Sequence, residues 1–113
     1  MKKGIIALTV LFLAVSAAAQ QPVSADRFAD AVNHWNKEHG AQTYERYKPD
    51  RFREIADNIV AYQNADGGWP KNLDMLARLD PDSVKAALKP RHRLSTLDNA
   101  NVYTQVEYLS NVY

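Results

Sequence analysis

Between Arg51 and Tyr62 the apolar residues recur with the period of an α-helix, and six residues after Val60 the chain meets a stop that no helix passes. Phe52, Ile55, Ala56, Ile59 and Val60 make one stripe, with Arg51, Arg53, Glu54 and Asp57 on the other face. The stop is Asp66-Gly67-Gly68-Trp69-Pro70. Its glycines permit a tight turn, and Pro70 biases Trp69 away from helical dihedrals. Asn64 to Asn72 therefore cannot continue that helix. The same period places Phe28, Ala31, Val32 and Trp35 on one face of Asp26 to Glu38, with Gly40 as the stop. A short helix is expected around Leu73 to Leu79. Asp80-Pro81-Asp82 predicts an N-cap and a proline in the first turn of a helix reaching about Leu88. Lys85 and Lys89 suit its C-terminal end, and Pro90 blocks extension. Lys89 to Thr96 reads as a basic loop. Asp98 or Thr96 is expected to cap a last helix with Val102, Val106, Leu109 and Tyr113 on one face. No stretch alternates as a strand would, so the predicted fold class is all-α.

The first nineteen residues stand outside that pattern. Lys2 and Lys3 precede an apolar run from Gly4 to Val15, and Ser16-Ala17-Ala18-Ala19 supplies small residues before polar Gln20-Gln21. This is the layout of a secretory signal peptide, residues 1–19, cleaved after Ala19. The alternative is a retained anchor, but the run is short against the roughly 20 residues that a bilayer span needs. The expected location is therefore secreted or periplasmic, with no membrane contact after cleavage. Without Lys2 and Lys3, 12 basic residues face 13 acidic ones, a net charge of −1 that offers no footprint for nucleic acid. There are no cysteines, so disulfides, thiolate nucleophiles and Cys-ligated metals are excluded.

Two short runs carry candidate chemistry. In Gly67-Gly68-Trp69-Pro70-Lys71-Asn72, Trp69 can stack on a sugar face and Lys71 can pair with a carboxylate. Equally, Trp69 can plug the core and Lys71 can be solvated. In Ser95-Thr96-Leu97-Asp98-Asn99, the Asp-Asn pair can offer oxygens to a hard cation such as Ca²⁺. The same residue types also serve as ordinary caps. Lys89-Pro90-Arg91-His92-Arg93 can attract a polyanion or simply be solvated. His34 and His39 are poorly spaced for a shared metal and read as surface residues.

Taken with Ala56-Asp57-Asn58-Ile59-Val60-Ala61-Tyr62-Gln63 and Tyr103-Thr104-Gln105-Val106-Glu107-Tyr108-Leu109, these runs resemble the family 10 polysaccharide lyases over about Phe52 to Tyr113. Those are pectate lyases with a helical, toroid-like catalytic domain. The resemblance implies cleavage of polygalacturonate (pectate) by calcium-dependent β-elimination. It implies that Asp98 lies near Ca²⁺ and substrate, and that Trp69, Lys71, Asn72 and Asn99 belong to a substrate-binding cleft. It also implies an arginine base in a downstream part of the family domain, so no catalytic residue is expected within residues 20–113. The expectation is an incomplete (α/α) toroid, the N-terminal part of such a domain after its first helices, lacking its C-terminal part. The chain departs from the family at Ala100-Asn101-Val102, where many members read Gly-Ala-Thr. The alternative expectation is a non-catalytic helical module that binds an anionic glycan through Lys71 and the Lys89 to Arg93 loop.

Overall fold

The computed structural model describes residues 23–40 and 44–113; the signal-peptide expectation for residues 1–19 falls outside them. Among the described residues there are helices and one isolated bridge, Arg46 to Ala77, with no strand. The all-α expectation therefore holds at the level of class. A 3-10 turn, Asp26–Phe28, leads into α1 (Ala29–His39); α2 is Phe52–Tyr62, α3 is Pro81–Ala87 and α4 is Tyr103–Val112. No helix among the described residues is long and apolar enough to cross a membrane.

The central element is α2. Its Ile55, Ala56 and Ile59 are wholly buried, whereas Val60, on the flank of the predicted stripe, is 51% exposed. Full burial of each large aliphatic side chain contributes about 1.5–3 kcal/mol. Arg51 and Glu54 form an exposed pair at the helix start, 2.5 Å apart. α1 ends as expected at Gly40, whose φ of 82° lets the chain leave while its N–H bonds Asn36 O. α3 begins as expected, with Asp80 accepting from Ser83 N at 3.2 Å and Pro81 at the first helical position.

Residues 71–80 form no helix. Asp74 explains why. It is only 2% exposed, and its carboxylate accepts from Leu76 N at 2.9 Å, Tyr44 Oη at 3.1 Å and Arg46 Nε at 2.5 Å. An aspartate bonded to the N–H two residues on holds a turn and competes with the helix. Asn58 completes the arrangement from α2, its amide donating to Met75 O and Ala77 O at 3.0 Å each. Thus the apolar Leu73, Met75 and Ala77 are buried along an irregular segment whose carbonyls are satisfied by a side chain. Lys89 to Thr96 also differs from expectation, since Pro90–Arg93 is a 3-10 turn, closed by Arg93 donating to Leu88 O at 2.8 Å and Ala86 O at 2.9 Å.

The last helix starts at Tyr103, five residues after Asp98. Its buried face is Thr104, Gln105 and Tyr108, while Val106 is 52% and Tyr113 80% exposed. Of the expected face, Val106 and Tyr113 thus point outward, whereas Val102 and Leu109 are half-buried and pack against the core. The Tyr108 ring meets Phe28 edge-on at 5.4 Å, and burial pushes its hydroxyl up to about 12.

Asn58→Ala is expected to cost about 2–3 kcal/mol, because two buried carbonyls lose their donors at once. Val60→Ala should stay within about 0.5 kcal/mol, as its site is half in solvent. Urea unfolding of the two variants beside the parent protein checks both, and similar losses would rule out Asn58 as the brace of residues 75–77.

Candidate functional site

The two motif runs meet in space. The first is held onto α2 by its tryptophan. Trp69 is 1% exposed, and its Nε1 donates to Ile59 O at 2.7 Å. That carbonyl lies in the last turn, where Gln63 N bonds Val60 O instead. Helix ends leave such carbonyls without backbone partners, and the indole supplies one. The structure thus puts Trp69 in the core, with no ring face open to a sugar.

The glycines before it serve different needs. Gly67 has a φ of 89°, which side-chain-bearing residues seldom adopt. Gly68 has no room for a side chain, since a Cβ there would sit 2.7 Å from Ser95 Cβ and Oγ. That close approach brings the second run against the first. Ser95 Oγ donates to Asp66 Oδ1 at 2.7 Å, and Asn64 Nδ2 donates to Ser95 Oγ at 2.9 Å and Arg93 O at 2.8 Å. Ser95, with help from the Gly68 N–H, holds the Asp66 carboxyl below its ordinary range.

Trp69 also supports the second run through its own carbonyl, which accepts from Thr96 N at 3.2 Å and Asn101 Nδ2 at 2.8 Å. Asn101 Nδ2 reaches Thr96 O as well, at 2.6 Å. With its amide nitrogen so committed, Asn101 turns Oδ1 toward Gln105 Nε2, 2.6 Å away. Gln105 Oε1 is left buried and without a partner among the described residues.

The outcome is a contact between residues 27 apart in sequence: Lys71 Nζ lies 2.9 Å from Asp98 Oδ2. Both side chains are partly open, 45% and 64% exposed. The Lys71 hydrogen bond and charge hold the Asp98 carboxyl below the usual carboxylate range. Lys71, Asn72 and Asp98 line one cleft with Arg27, Asn101 and Gln105, around a cavity of about 30 Å³. Asn72 is half-buried with a φ of 62°, a conformation asparagine tolerates better than most. The side chain of Asn99 lies outside the described residues. Thr96 Oγ1 accepts from Asp98 N at 3.2 Å at the start of the 3-10 turn Asp98–Ala100, and neither Thr96 nor Asp98 caps α4, whose N-cap is Val102.

For a cation the donor set is thin. No group of three or more His, Asp or Glu capable of holding a metal occurs among the described residues. Ca²⁺ takes roughly six to eight oxygens. Asp98 fits as a single, accessible ligand that must first release Lys71, and this set by itself is no calcium cage.

Sequence reasoning missed Asn101, Gln105 and Asp74. Asn101 was visible only as a departure from the family pattern, and Asp74 has no local signal because its partners Tyr44 and Arg46 lie about thirty residues upstream. The departure has a backbone counterpart. Ala100 and Val102 have φ values of 59° and 73°. Left-handed geometry costs a non-glycine residue on the order of 1–3 kcal/mol, and a β-branched one most. Ala100 occupies the position where the resembling family often has glycine.

Ala100→Gly is accordingly expected to stabilise the protein by about 1 kcal/mol, raising Tm by about 4–8 °C. Asn101→Ala should lower stability by about 1–3 kcal/mol through the carbonyls it abandons. Gly68→Ala should cost a similar amount by pushing Ser95 away. Calorimetric melting of the three variants measures all of these, and a destabilising Ala100→Gly would refute the strain at that position.

Comparison of the chain with protein-family models, with curated proteins and with solved structures finds no match.

Proposed function

We propose that residues 20–113 are the N-terminal part of an exported, calcium-dependent pectate lyase. The observation that carries this reading is the Lys71–Asp98 contact at 2.9 Å, which joins the Trp69-Pro70-Lys71-Asn72 run to the Ser95–Asn99 run in one cleft. Runs separated by more than twenty residues share chemistry only if the fold unites them. A second support is the outer face of α4, where Tyr103 and Val106 are 60% and 52% exposed, with the Arg27 guanidinium 5.9 Å from the Tyr103 ring centre, as expected of one helix pair in a larger toroid.

In this reading Lys71 serves as a point charge for a uronate carboxylate, and Asp98 turns from Lys71 to a cation. Ca²⁺, when bound, draws charge from the uronate carboxylate and so acidifies the C5 proton. Asn72 lines the substrate path. The base is an arginine outside residues 1–113, so this stretch binds without turning over. Trp69 acts through position, holding the Lys71 loop on α2.

The test uses the protein with its reading frame continued beyond Tyr113. Polygalacturonate should yield an ultraviolet-absorbing unsaturated product that a chelator abolishes and Asp98→Asn strongly reduces. Binding of the glycan with no calcium-dependent product would overturn the lyase reading in favour of a non-catalytic anionic-glycan module.

Residues 20–113 give a second test by calorimetric titration. Lys71→Gln removes the ammonium that competes for Asp98, so Ca²⁺ affinity at neutral pH should rise about fivefold, the factor one screened contact supports. Asp98 is held low by Lys71, so its carboxylate pairing is complete above the ordinary carboxylate range and is lost as pH falls through the lowered value. Without Lys71 the Asp98 carboxylate should protonate from a higher pH, and the cation binding it supports should fall off there too. Unchanged affinity and an unchanged acid limb would mean that Asp98 takes no part in cation binding.

A further inference from the structure

A second pocket shares Lys71 and Asn72 with the cleft that holds Asp98. Its volume is about 290 Å³, near the lower end for small-molecule sites. Trp35, Leu73, Leu88 and Leu94 form its apolar walls, and Arg91 and His92 stand at its rim. Glu38 is there too, and neither it nor Arg91 belongs to an ion pair among the described residues.

The local structure keeps Arg91 available. Pro90–Arg93 is a 3-10 turn, and Arg93 spends its guanidinium on the carbonyls of Leu88 and Ala86. That fold-back fixes the turn from one side and leaves the neighbouring arginine uncommitted. On the opposite wall the Trp35 indole is held by a stack with His39, centroids 3.7 Å apart, and by the edge of Tyr44 at 6.4 Å. Trp35 is 6% exposed, and its Nε1 has no partner among the described residues.

We propose that this pocket binds a small organic acid with an apolar body, an arylcarboxylate, its ring against Trp35, Leu73 and Leu88 and its carboxylate on Arg91. A guanidinium presents paired donors that match a carboxylate. The apolar side chains of Trp35, Leu73, Leu88 and Leu94 suit a ring, and they offer no partner to the hydroxyls of a sugar placed against them. The ligand class differs from that of the adjoining Lys71–Asp98 cleft, with which the pocket shares Lys71 and Asn72, and the proposal does not rest on the lyase reading.

Two indole N–H signals make the test direct. In nitrogen–proton correlation spectra of the protein, titration with phenylacetate should move the Trp35 indole signal, assigned by its loss in Trp35→Phe. The Trp69 signal should stay, its N–H being bonded to Ile59 O in the core. Arg91→Gln should weaken binding about tenfold. Leu94→Glu, a change at a 67% exposed position, should abolish it by setting a carboxylate at the mouth. A Trp35 signal unmoved by millimolar phenylacetate would overturn the proposal. So would equal binding of neutral phenylacetamide, indifference to Arg91→Gln, or equal binding of galacturonate, which would make the pocket a sugar subsite. The lyase reading stands or falls separately, on product absorbance.

Discussion

The bond from Trp69 Nε1 to Ile59 O is the contact on which the rest of the site hangs. It ends α2, buries the largest side chain of the turn, and fixes the Trp69 carbonyl where Thr96 N and Asn101 Nδ2 can reach it. One residue thus gives both its side chain and its backbone to joining two distant runs. A hydrogen bond of this kind is worth only about 1 kcal/mol net. Its leverage comes from the burial around it, since a displaced indole would leave several polar groups unsatisfied together.

The division of labour around Trp69 also explains why polar residues line a site in so small a protein. The core proper is α2 with Phe28, Trp35, Leu73, Met75 and Tyr108. Outside it, connecting segments are held by side-chain amides: Asn58 on residues 75–77, Asn64 on 93–95, Asn101 on 69 and 96. Each amide donates from one nitrogen to two acceptors and so substitutes for strand pairing. A chain without cysteines can fix long loops in this way, because every pair of bonds ties segments that lie far apart in sequence.

The helices were legible because their signals are local. Phe28, Ile55 and Ile59 fall in period, Gly40 and Asp80 mark a stop and a start, and each lies where its rule places it. Leu73 to Leu79 misled for the opposite reason. Its apolar spacing suits a helix, but Asp74 is held by Tyr44 and Arg46 from far upstream, and that bargain cannot be read from residues 73–79. The same limit applies to the site. The residue types in the two runs were readable, and so were both possible roles of Trp69. That Trp69 is a core residue and that Lys71 meets Asp98 depend on Gly68 having no side chain opposite Ser95, a fact of packing between two segments.

Ala100 and Val102 take this one step further. Two left-handed non-glycine residues in three positions is a costly way to connect Asp98 to α4. The cost makes sense through what lies between them. With Ala100 and Val102 in these conformations, Asn101 places its amide on Trp69 O and Thr96 O and its oxygen on Gln105. A relaxed backbone would swing that side chain elsewhere. The strain is therefore coupled to the clamp, and the clamp keeps the Asp98 turn beside Lys71. A glycine at position 100 relieves strain but also frees the turn, so local stability and the fixed position of Asp98 are opposed quantities here. An asparagine that ties both runs offsets what the backbone loses, and it does so from within the lining of the cleft itself.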